Sequence, residues 1–61
     1  MLLIREKGND KVYVVGIVDG YKVWVPSGAD LEQAFGGRDA WTKIHDVDPG
    51  HFLLKLPEKV L

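Results

Sequence analysis

Apolar residues along this chain fall into short runs separated by turn formers, and the runs differ in period. Met1–Lys7 starts apolar, turns charged and stops at the turn cluster Gly8-Asn9-Asp10, so it reads as a strand. Lys11–Val18 holds Val12, Tyr13, Val14, Val15, Ile17 and Val18, β-branched or aromatic residues of high strand propensity, and is the clearest strand of the chain. Asp19-Gly20 suits the positive φ angles of a two-residue hairpin, and a third strand follows as Tyr21–Val25, ended by Pro26.

Beyond the proline the period changes. Ser27 with Asp30 three positions on has the spacing of a capped helix start, Leu31, Ala34 and Phe35 make one apolar stripe, and Gly36-Gly37 supplies a left-handed stop; a two-turn helix is expected over Gly28–Phe35. Trp41 to Val47 fits either period, and a short strand at Lys43–Val47 is preferred. Asp48-Pro49 then reads as a cap and first position of a second short helix, with Phe52, Leu53 and Leu56 on its stripe, ending before Pro57. The tail Glu58–Leu61 is uncommitted. With no repeat, low-complexity tract or linker, residues 1–61 form one α+β domain. It has a small antiparallel sheet of three to four strands and two short helices, in the order β-β-β-α-β-α.

The second strand is apolar on both faces. Val12, Val14 and Val18 alternate with Tyr13, Val15 and Ile17, and Leu2, Leu3 and Ile4 do the same in the first strand, whereas a half-buried strand should alternate apolar with polar. The two helices cover both faces of the sheet, or one face meets a second copy or another protein. Gly16, inside the strongest strand, marks a bulge or a close backbone approach. The second option places the contact surface on Leu2, Ile4, Tyr13, Val15, Gly16, Ile17 and Trp24, the last because strand alternation puts Lys22 and Trp24 opposite Tyr21, Val23 and Val25.

Size strengthens that expectation. For a chain of 61 residues, apolar burial and the cost of ordering are each about 90 kcal/mol and nearly cancel. Small domains close such a gap with disulfides, metals or partners, and there is no cysteine. The lack of cysteine suits a reducing compartment without fixing one. Met1–Ile4 is too short for the apolar core of a signal peptide and no stretch matches a membrane span, so a soluble protein is expected. Eight Lys and Arg against nine Asp and Glu give a net charge of −1. The basic residues are dispersed, which argues against nucleic acid as partner.

Candidate chemistry is sparse. His45, Asp46, Asp48 and His51 have metal-ligand side chains, but alternation points His45 and Asp46 to opposite faces and Asp48 is accounted for as a cap, so no metal and no cofactor are expected. The single serine, Ser27, caps a helix; the remaining carboxylates sit in turns, helix starts and chain ends, as solvated carboxylates do. Neither phosphate-loop spacing occurs among the glycines. No catalytic residue is assigned, and an enzyme is not expected. Trp24 and Trp41, with a tyrosine, form an alternative platform for sugar rings.

The run VYVVGIVDGYKVWVPSGADLEQAFGG (12–37), the tryptophan-containing WTKIHDV (41–47) and DPGHFLLKLP (48–57) resemble small modules of actinobacterial phages, appended to endolysins, associated with tails or free-standing. The shared features are the hairpin with its Asp-Gly turn, Trp and Pro, the short glycine-closed helix and the final Leu-Pro turn. The resemblance implies a non-enzymatic accessory protein in the virion or host cytoplasm, acting in assembly, attachment or host-factor binding, and assigns no functional residues. Together these readings give a protein that acts by protein–protein contact, self-associating as a homo-oligomer or docking on a virion or host assembly. Cell-wall carbohydrate binding and inhibition of a host protein are the alternatives.

Overall fold

A computed structural model describes all residues, Met1–Leu61. Five strands form one mixed sheet: β1 (Leu2–Glu6), β2 (Val12–Val15), β3 (Lys22–Val25), β4 (Ile44–Val47) and β5 (Glu58–Val60), in the spatial order β4-β1-β2-β3-β5. Within the central three, β2 runs antiparallel to both β1 and β3, while β4 joins β1 and β5 joins β3 in parallel. The small α+β domain is as expected. The all-antiparallel sheet of three to four strands is not: β4 follows a helical crossover, the connection a parallel pair requires, and lies parallel to β1, and the uncommitted tail becomes a fifth strand.

Register sorts the apolar residues into two faces. Leu3, Val14, Val23 and Ile44 share one, as do Val12 and Val25. This face is covered by helix α1 (Gly28–Phe35), whose Leu31 and Phe35 are buried with Ala40 from a following 3-10 helix, Gly37–Lys43. α1 begins and ends as its sequence dictates. The Asp30 backbone N–H donates to Ser27 Oγ at 3.2 Å, and Gly36 adopts φ 96°, its N–H donating to the Glu32 carbonyl. Ala34, expected on the apolar stripe, is exposed. Trp41 lies in the 3-10 helix rather than beside a strand.

Leu2, Ile4, Tyr13, Val15, Lys22 and Trp24 occupy the other face. The chain must cross from β4 at one edge to β5 at the other, and residues 48–57 do so over this face, with Leu53, Leu54 and Leu56 half-buried. Lys22 Nζ donates to the Leu54 carbonyl and ties the crossing segment to the sheet. Only a single 3-10 turn, Phe52–Lys55, stands where a second α-helix is expected; it is capped by His51, whose Nδ1 accepts from the Leu53 N–H, and not by Asp48. Phe52 leaves the expected stripe, points to solvent and stacks on His51 with ring centroids 4.7 Å apart.

Strand β2 ends at Val15, three residues short of the expected end, because Gly16 takes φ 106° and the chain bends away. The turn at Asp19-Gly20 does form, closed by the Tyr21 N–H donating to the Val18 carbonyl at 3.2 Å. Only Gly20 has positive φ there, and the strands pair no further out than Val15 with Lys22, so the hairpin loop is 16–21 rather than two residues.

Candidate functional site: a groove between two tryptophans

Where β3 runs into α1, Trp24, Pro26, Leu31 and Trp41 wall a groove of about 210 Å³, with Asp10 and Lys11 at its rim. Each tryptophan is held in place. Trp24 belongs to β3, paired across the ladder with Tyr13, and the Lys11 ammonium stands 4.6 Å above its ring. Trp41 arrives from the other side of the sheet, on the 3-10 helix. Its Nε1–H donates to Glu32 Oε2 at 3.0 Å, and its six-membered ring lies against Gly28, where a Cβ would stand 2.9 Å from Cζ2. It is nevertheless 44% exposed. An indole fixed by a hydrogen bond and a glycine seat while left in water is preorganised, so a contact made there would cost it little ordering entropy.

Charge around the groove is mainly negative. Asp10 is exposed at the rim, Asp30 accepts from Ser27 Oγ at 2.9 Å, and Glu32 is the partner of Trp41. Lys11 is the one cation lining it, and its Nζ is shared between the rings of Trp24 and Tyr13 and the Glu58 carboxylate, 3.7 Å away. Its interaction with the Tyr13 side chain first, and then with Glu58, holds its pKa above the ordinary 10.5 against an opposing pull from desolvation.

The residues expected to form a contact surface on the strands are distributed differently. Ile4 is 0% exposed and Tyr13 8%, both beneath the segment 48–57, so neither offers surface to a partner; Val15 and Trp24 are half-buried. Leu2 and Ile17 are exposed. Gly16 does mark a close backbone approach, but from within the chain: a Cβ there would lie 3.2 Å from the Met1 Cα. The apolar second face of the strands is thus covered, in the main, by the chain's own segment.

The four side chains with metal-ligand chemistry do not converge. Asp46 accepts from Arg5 Nε at 3.0 Å, Asp48 pairs with Lys7 at 3.1 Å, and His51 Nδ1 caps a backbone N–H. Ser27 Oγ is engaged with Asp30 on both its donor and acceptor sides. No helix is long and apolar enough to cross a membrane.

Sequence reasoning set Trp24 and Trp41 together as aromatic candidates but missed Glu32, Gly28 and Asp10. The signal for Glu32 and Gly28 lies in the helix itself. Both fall on the flank of α1 next to its buried stripe, four residues apart, and a residue packing on that flank would meet both. Compared with family models, curated proteins and solved structures, the chain matches none.

Proposed function

We propose that this chain is a non-catalytic interaction module that docks on a protein assembly, with its contact surface centred on the groove between Trp24 and Trp41. The observation that carries this is the pair of tryptophans, brought from opposite faces of the sheet to one groove, with Trp41 immobilised by Glu32 and Gly28 yet open to solvent. Tryptophan is among the residues that dominate binding energy at protein interfaces. The strand residues Leu2 and Val15, with Ile17 of the following loop, form a separate, smaller apolar corner. The setting we infer from the resemblance to phage modules is an accessory role in a virion or the host cytoplasm.

Panning a random dodecapeptide display library on the immobilised protein tests the docking role. Enrichment of binders that are lost on Trp41→Ala is expected, and failure to enrich any such binder removes it. A second reading, carbohydrate binding, is favoured by the same convergence of Trp24 and Trp41, since stacked indoles also hold sugar rings. It predicts that the protein is retained on bacterial cell walls and released by Trp24→Ala or Trp41→Ala.

A further inference from the structure

Resting on the docking role of the groove, we infer that its occupant is an extended, proline-containing peptide segment with a basic residue beside the proline. The first reason is size: about 210 Å³ lies below the roughly 300–1,000 Å³ of sites that enclose small molecules, and suits one or two side-chain rings of a ligand that otherwise runs across the surface. The second is the state of the polar groups. Ser27 Oγ is committed to Asp30, Trp41 Nε1–H to Glu32 and the Lys11 ammonium to the aromatic rings and Glu58, so few side-chain donors remain for a ligand rich in hydroxyls, and the free groups are carboxylate acceptors. The Lys11 ammonium also covers one face of the Trp24 ring, where a sugar would stack. A proline ring has no N–H to satisfy, packs on indole edges and on Pro26, and belongs to a chain already stiffened as a polyproline II helix, which lowers the ordering cost.

The third reason is charge complementarity. One carboxylate, Asp10, lines the groove, and two more, Asp30 and Glu32, are bonded to its lining residues Ser27 and Trp41, against the single, already engaged ammonium of Lys11. A lysine or arginine next to the proline meets that excess, and an acidic neighbour is repelled.

The display experiment separates this inference from the docking role beneath it. Binders that depend on Trp41 and share proline with an adjacent Lys or Arg support it; binders that depend on Trp41 but share neither overturn it and leave the docking role standing. No Trp41-dependent binder overturns both. A defined acetylated Pro-Pro-Leu-Pro-Arg-Pro peptide then gives the direct measurement, by titration of the two indole N–H resonances in a nitrogen-15-labelled sample. Saturable shifts of both resonances are expected, with affinity at least about tenfold weaker for Trp41→Ala and roughly two- to fivefold weaker for Asp10→Asn. Glu32→Gln keeps an acceptor for Trp41 Nε1 and removes the charge, so a loss of roughly the same size there, with the indole N–H resonance in place, isolates the electrostatic part. Equal affinity for the peptide carrying Glu in place of Arg overturns the inference, as does a response to cell-wall saccharide without a response to peptide.

Discussion

The ring of Trp41 occupies the space in which a side chain on Gly28 would begin: Cζ2 lies 2.9 Å from the point where that Cβ would stand. Gly28 has no positive φ, so its glycine serves the tryptophan and not the backbone. In Gly28→Ala the indole must swing outward, because the ring is half exposed and its neighbours on the helix cannot give way. The helix gains less than the roughly 1 kcal/mol of an interior glycine, because Gly28 is its first residue, and Trp41 loses its hydrogen bond to Glu32, so the urea midpoint should move little. The indole N–H resonance should move clearly, and binding in the groove should fall. An unchanged Trp41 resonance in this variant would contradict the seat.

Gly16 is a different kind of glycine. Its φ of 106° is closed to side chains, and the Met1 backbone fills the space a Cβ needs. Both faults arise together in Gly16→Ala, and a cost of about 1–3 kcal/mol follows. For a domain this small that is a large part of its stability. Chemical denaturation should show the midpoint falling while the slope is retained.

Burial on both sheet faces makes a comparison of truncations informative. Ile4 lies under the crossing segment and Leu31 under none of it, on opposite faces, yet both are fully buried. Ile4→Ala and Leu31→Ala should each cost about 2–5 kcal/mol, while Leu2→Ala, on the same face as Ile4 but at its open end, should cost under about 1 kcal/mol. An Ile4→Ala variant as stable as the parent would mean that the crossing segment does not cover the sheet.

Much of this fold was legible because local signals were strong. The cap at Ser27, the stop at Gly36 and the alternation of Val23, Trp24 and Val25 each follow from one residue's chemistry and stand as expected. The parallel pairing of β4 with β1 and of β5 with β3 was not legible, since Ile44–Val47 and Glu58–Val60 carry no mark of the strand they will meet. The apolar second face pointed to a neighbour, and the neighbour over Ile4 and Tyr13 is residues 48–57. Leu53, Leu54 and Leu56 suffice without helical periodicity, because a chain crossing a sheet needs only leucines facing down and a donor such as Lys22 for its carbonyls. For the groove, the two tryptophans could be paired from sequence, and Gly28 and Glu32 could be set on one flank of α1, but not that Trp41 would pack there, because it meets them only after the 3-10 helix turns back on α1.

Lys11 links the groove to alkaline pH. Its folded pKa is raised above 10.5 by Tyr13 first and then Glu58, so its contribution to stability is complete below the unfolded value and is lost as pH rises through the higher folded value. Stability should therefore decline above about pH 10.5, and Lys11→Met should show a smaller decline in the same range. A nitrogen-detected titration of the Lys11 side chain reads the shift directly; a midpoint below that of the other lysines would reverse the sign.

If copies of this chain associate through the strands, the open corner of the sheet is where they would meet. Leu2 pairs with Val15 at the corner where β1 starts and β2 ends, the Met1 backbone lies beside Gly16 there, and Ile17, the next residue, is 49% exposed. Four side chains cover much less than the roughly 800 Å² per partner of a stable interface, so contact between copies through this corner would be weak and concentration-dependent. Because it buries apolar surface, it weakens on cooling. Sedimentation velocity over a concentration series should show a rising weight-average coefficient at room temperature, a flatter rise in the cold, and none for Ile17→Asp. The substitution lies in an exposed loop, outside any strand, so it leaves the fold intact and its effect is read on association alone. A wild-type coefficient that stays constant across the series would remove the corner as a contact surface and leave the proposed docking at the Trp24–Trp41 groove untouched.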